Sequence, residues 1–136
     1  MSKISAYINF KNTCREAMTF YQQCLGGELQ LIIVKNSPMA EMFPAEMQDS
    51  VLHADLTARD LNLLASDMQD PSVAEKTGGP VSLTLSCDSK EAMFDAFAKL
   101  SDGGTVTCQP EVFFAGTMGN LVDKFGIRWG VFTAEK

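Results

Sequence analysis

A half-chain repeat constrains this chain more than any other feature of its 136 residues. Thr13, Glu16, Ala17, Met18 and Leu25 recur 75 positions later as Asp88, Glu91, Ala92, Met93 and Leu100. A double glycine closes each set, Gly26-Gly27 and Gly103-Gly104, and an alternating apolar segment precedes each, Ile4 to Phe10 and Val81 to Cys87. Self-similarity at a fixed spacing is the signature of one module used twice.

The elements of the module follow from periodicity. Ile4, Ala6, Ile8 and Phe10 share one face of a half-buried strand. Thr13-Cys14-Arg15-Glu16 reads as a capping box, in which the hydroxyl takes a free backbone N–H and Glu16 reaches back. The helix it opens runs to Leu25 and buries Cys14, Ala17, Met18, Tyr21 and Leu25, with Gly26-Gly27 ending it. Glu28 to Lys35 is a second strand. Asn36 to Asp49, with Pro38 and Pro44, has no clean period and reads as a loop or short helical turns. Val51 to Thr57 and Leu61 to Ser66 form a hairpin across Ala58-Arg59-Asp60.

Met68 to Pro80 is rich in Asp, Ser, Gly and Pro and reads as a linker. Beyond it the pattern restarts: strand Val81 to Cys87, a second capping box Asp88-Ser89-Lys90-Glu91, and a helix to about Ser101. Strands are expected at Thr105 to Gln109, Phe113 to Val122 and Ile127 to Thr133. The predicted architecture is α+β: two βαβββ modules, about 3–67 and 81–133, within a single domain spanning 1–136. They are expected to form a cupped mixed eight-stranded sheet with helices on the outer face and a cleft for a ligand between the modules.

Composition removes several classes of function. The formal net charge of −6, with no block of basic residues, argues against nucleic acid or an anionic membrane as partner. The longest apolar runs, such as Leu31-Ile32-Ile33-Val34, are too short to span a bilayer. With no signal peptide at Met1-Ser2-Lys3-Ile4, a cytoplasmic location is expected. Cys14, Cys24, Cys87 and Cys108 are scattered through apolar-periodic segments, which reads as core packing in a reducing compartment, not zinc binding or nucleophilic catalysis. No phosphate loop, serine elbow or dinucleotide fingerprint is present.

Particular words in the sequence carry a resemblance. They are Ala6-Tyr7-Ile8-Asn9-Phe10, Glu16-Ala17, Phe20-Tyr21, Leu25-Gly26-Gly27, His53-Ala54-Asp55-Leu56, Ser66-Asp67, Gly103-Gly104 and Val122-Asp123-Lys124-Phe125-Gly126-Ile127-Arg128-Trp129. Through them the chain resembles the vicinal oxygen chelate superfamily of glyoxalases, bleomycin-resistance proteins and extradiol dioxygenases, and within it the PhnB-like branch. The branch usually has Phe-Trp-Gly or similar before the last hairpin. Here Phe113-Phe114-Ala115-Gly116 keeps an aromatic and loses the indole N–H.

Metal-dependent members of the superfamily hold a divalent ion with His and Glu from four strands. The resemblance puts those positions at Ala6 or Tyr7, near Leu63-Leu64, at Ser82 and at Gly130. None is a His or a carboxylate, so no metal cofactor is expected. The first functional expectation is therefore a cytoplasmic small-molecule binder whose pocket is lined by Tyr7, His53, Ser66, Phe114 and Trp129. His53, the only histidine, is the best candidate for a general acid or base. Its other reading is a side chain satisfied by a neighbouring strand or a dimer interface.

Trp129 reads equally as half-buried packing at a module or subunit interface. Asp67 could offer a carboxylate to the mouth of the cleft, but Ser66-Asp67 reads first as a strand-ending cap for the linker. Alternatives are a divalent-metal-dependent lyase, isomerase or dioxygenase using His53, or a drug-sequestering protein that takes a cationic antibiotic. Whether the chain is an enzyme is left open at this point. The resemblance implies a homodimer.

Overall fold

A computed structural model describes residues 3–68 and 80–136. The chain divides into two units, Met1–Ala74 and Glu75–Lys136. The expected linker at 68–80 lies, apart from its end residues, outside the described residues.

The first unit contains β1 (Ala6–Asn9), α1 (Cys14–Leu25), β2 (Glu28–Ile33), β3 (Val51–Ala58) and β4 (Leu61–Ser66). Its sheet has the order β1-β4-β3-β2, with β1 parallel to β4 and the other pairs antiparallel. The second unit contains β5 (Leu83–Cys87), α2 (Lys90–Ser101), β6 (Thr105–Phe113), β7 (Gly116–Val122) and β8 (Arg128–Thr133). Its sheet has the order β5-β8-β7-β6, again with only the first pair parallel. The two sheets share one topology, as the repeat requires. The fold is α+β, and its eight strands hydrogen-bond as two four-stranded mixed sheets.

Each helix covers one face of its sheet. In the first unit Phe10, Cys14, Ala17, Met18, Phe20 and Tyr21 are buried together with Ala54, Leu56, Leu63 and Ala65. Burying a side chain the size of Met18 or Tyr21 stabilises the unit by about 2 kcal/mol. Leu25, expected in this core, is only half-buried, and Phe20 takes a place there. In the second unit Met93, Ala96, Phe97 and Leu100 are buried with Leu121, Trp129 and Val131. The segment between β2 and β3 contains three short 3-10 turns, Val34–Asn36, Ala40–Met42 and Ala45–Met47.

The helix starts correct the sequence reading. Thr13 makes no side-chain cap bond. The first N–H of α1, that of Cys14, is instead donated to Oδ1 of Asp67 at 2.9 Å, while Oδ2 accepts the N–H of Val51 at 2.9 Å. A carboxylate outcompetes a hydroxyl here because its charge also meets the positive end of the helix dipole. At α2 the cap is Ser89 and not Asp88: its hydroxyl accepts from the Ala92 N–H at 3.1 Å. The Lys90 N–H is donated to Glu135 at 2.6 Å. In both units a carboxylate just past the last strand therefore holds the first amide of the helix. At the other end of α1, Gly26 adopts φ 77°, a left-handed angle that only glycine takes cheaply, and donates its N–H to Gln22 O.

Between β7 and β8 the chain turns at Asp123-Lys124-Phe125-Gly126. The Gly126 N–H is donated to Asp123 O, and the Asp123 N–H to Ile127 O. Oδ1 of Asp123 accepts from the N–H groups of Phe125 and Ile127 at 2.8 and 3.0 Å.

Candidate functional site

Alternation along a strand gives each sheet a second face, turned away from its helix. In the first sheet Ala54, Leu56, Leu63 and Ala65 point to α1, so their neighbours point the other way. Strand register sorts these neighbours into rows. Tyr7, Leu64, Asp55 and Gln30 are partners in turn across β1, β4, β3 and β2. On one side of them lie Asn9, Ser66, His53 and Ile32, since Asn9 pairs with Ser66 and Ile32 with His53. On the other side lie Asn62, Thr57 and Glu28, joined by Ser5.

Contacts between side chains tie these rows together. The Tyr7 and His53 rings lie 6.0 Å apart at an interplanar angle of 40°. Tyr7 is 46% exposed, so its ring is open to a ligand. Oδ1 of Asp55 accepts from the Thr57 hydroxyl at 2.6 Å and from Nδ2 of Asn62 at 3.0 Å. Oδ1 of Asn62 in turn accepts from the Ser5 hydroxyl at 2.9 Å. The face thus combines an accessible aromatic pair, an apolar floor at Leu64 and a carboxylate whose orientation is fixed by two donors.

Of the five residues expected to line a pocket, three come together here: Tyr7, His53 and Ser66. Ser66 is fully buried and its hydroxyl accepts the Met68 N–H at 3.2 Å, so it braces the floor beside His53. Phe114 and Trp129 belong to the second unit. Phe114 is 90% exposed at the tip of the β6–β7 hairpin, edge-on to Phe113, which is edge-on to Phe132. Trp129 lies on the side of its sheet facing α2. It is 2% exposed, and its indole N–H is donated to Oδ2 of Asp123 at 2.9 Å. Trp129 is thus packed inside its own unit, deeper than the half-buried position expected for it.

Sequence reasoning set Asp55 and Thr57 on the face of His53 without naming Asp55 as a site residue, and it left out Asn62. Asp55 shares its face with His53 by simple alternation. Asn62 joins it because the short turn after Ala58 sets Thr57 opposite Asn62. Asp67, considered for a carboxylate offered to a ligand, has both oxygens engaged by backbone N–H groups. A groove of about 360 Å³ lies beside it, lined by Asn12, Arg15, Glu16, Glu46, Asp49, Ser50, Val51 and Asp67. None of the five expected residues is among them.

The donor set for a metal is a matter of chemistry. Among the described residues, no three His, Cys, Asp or Glu side chains stand close enough together to hold an ion. At Gly130 a Cβ would come within 2.6 Å of Met118 Cε and 3.2 Å of Asn120 Oδ1, so neighbouring side chains fill that space. Ala6, Tyr7, Leu63, Leu64, Ser82 and Gly130, the positions that the resemblance assigns to metal ligands, carry neither a His nor a carboxylate. Among the described residues, no helix is long and apolar enough to cross a membrane.

Comparison with known proteins agrees with this architecture. A family model described as 3-demethylubiquinone-9 3-methyltransferase matches residues 2–132. Protein YjdN of Escherichia coli K12 is 27% identical over 143 residues, covering 93% of this chain and 91% of YjdN. The crystal structure of protein PA1353 from Pseudomonas aeruginosa is 31% identical and covers the whole of both chains with a TM-score of 0.86. A putative 3-demethylubiquinone-9 3-methyltransferase, PhnB protein, from Bacillus cereus is 23% identical, with a TM-score of 0.74 over 97% of this chain and 99% of that one. A glyoxalase/bleomycin resistance protein/dioxygenase family enzyme from Burkholderia phytofirmans PsJN shares the fold at 17% identity, with a TM-score of 0.64 over 95% and 97% of the two chains.

Proposed function

The chain belongs to the family described as 3-demethylubiquinone-9 3-methyltransferase, and on that footing we propose that it is a PhnB-like member of the vicinal oxygen chelate superfamily that binds a small, ring-bearing molecule on the face of its first sheet turned away from α1. The observation that carries this reading is the Tyr7–His53 ring pair, accessible beside a carboxylate already oriented by Thr57 and Asn62. Polar groups held in place at the edge of an aromatic surface give a ligand orientation as well as affinity. His53 is the group on this face suited to proton transfer. The proposal includes no tightly held metal, in keeping with the side chains at the superfamily's ligand positions. It takes the protein as a cytoplasmic homodimer, since exposed strand edges favour pairing with a second copy.

A thermal-shift screen with aromatic fragments tests the binding surface. Hits should protect the wild type and lose most of that protection in Tyr7→Ala and His53→Ala. Equal protection of both variants would place binding elsewhere and overturn the reading. Elemental analysis of protein prepared without chelators or metal resins tests the metal-free part. A near-stoichiometric ion that disappears in His53→Ala would move the chain to the metal-dependent members. Analytical ultracentrifugation reads the dimer.

A further inference from the structure

Asp55 has one oxygen to spare. Oδ1 is engaged by Thr57 and Asn62, whereas among the described residues no side chain or amide donates to Oδ2. The Asn62 partner is itself held by Ser5, so the carboxylate is fixed from behind. Through Leu64, Asp55 is in line with Tyr7, a separation of two strand spacings or about 10 Å between Cα atoms. His53 is two residues away along the same strand. Glu28, which pairs with Thr57, adds a second carboxylate, and the three rows contain no lysine or arginine.

Charge therefore selects among ring-bearing ligands. An anion would meet Asp55 and Glu28 with no lysine or arginine among the twelve residues of these rows. A purely apolar ring would strip water from Oδ2 and return no hydrogen bond. We propose that the ligand class for this face is an aromatic compound with a protonated amine, its ring against Tyr7 and His53 and its ammonium donating to Oδ2 of Asp55. This assignment rests on the binding surface inferred above and adds the ligand's charge to it.

Three probes with one ring and different charge test it: tryptamine, tryptophol and indole-3-acetate, titrated into the full chain and followed by backbone amide shifts. Tryptamine should bind on the order of tenfold more tightly than indole-3-acetate, with tryptophol between them. Asp55→Asn should bring the three together, and so should high salt added to the wild type. If Asp55→Asn fails to fold, the salt series on the native protein decides alone. Shifts in β1, β3 and β4 with equal or reversed affinities would overturn the charge assignment and leave the surface standing. No shifts in those strands with any probe would overturn both.

Discussion

Trp129 donates its indole N–H to Asp123 across 2.9 Å, and neither residue is more than 3% exposed. With the amides of Phe125 and Ile127 on its other oxygen, one carboxylate satisfies three donors within a turn of a few residues. The Asp-x-Phe-Gly-x-x-Trp wording is thereby explained as a fastening between β7 and β8. The turn brings the aspartate round to the indole, and the indole fills the space under α2.

Removing that carboxylate leaves buried donors without partners. Asp123→Ala should destabilise the protein by about 3–5 kcal/mol, and Asp123→Asn by about 2 kcal/mol, since its amide can face only one side with an acceptor. Urea melts followed by Trp129 fluorescence read both. A loss below about 1 kcal/mol in Asp123→Ala would show the turn to be held by other contacts.

The helix caps should respond unequally. Thr13→Ala should change stability little, because its hydroxyl caps nothing, whereas Ser89→Ala should cost about 1 kcal/mol. Asp67→Ala should cost about 2–3 kcal/mol, because it frees the amides of both Cys14 and Val51. Denaturant midpoints for the three variants, compared side by side, check the order.

Cys14 gives a pH signature. Burial, reinforced by the neighbouring Asp67 carboxylate, pushes its thiol from 9.0 up to about 12. The folded state prefers the protonated thiol, so this contribution to stability is complete below about pH 9 and is lost as pH rises towards 12. Stability measured at increasing alkaline pH should fall by a few kcal/mol over that range, and less steeply in Cys14→Ala. At neutral pH a thiol reagent should label exposed Cys108 first and Cys14 only on unfolding.

On the binding face, Tyr7→Ala should separate function from stability. Because the ring is 46% exposed, its loss should cost no more than about 1 kcal/mol in folding while removing the aromatic surface. A calorimetric titration with tryptamine, paired with a melt of the same variant, reads the two effects independently.

The fold was legible because periodicity and the repeat report which residues must be buried together. Ile8, Ala54, Leu56 and Ala65 announce the face towards α1, and that alone sets Tyr7 and His53 on the opposite side. Trp129 was harder to place. On β8 both alternating sets contain an aromatic, Trp129 in one and Phe132 in the other, so the pattern did not say which set faces α2. The helix starts were misread for a different reason. A local Ser/Thr and Glu spacing is visible in sequence, while a carboxylate arriving from 53 residues away is not.

Those distant carboxylates also bear on the order in which the chain acquires its shape. The amide of Cys14 waits for Asp67, and that of Lys90 waits for Glu135, 45 residues later. The first amide of each helix gains its acceptor only when the last strand of its own unit has come back beside the first. That one contact at each helix start therefore acts as a latch that closes only on a finished circuit of strands. For a chain emerging from the ribosome, the first latch can close while the residues of the second are still unmade.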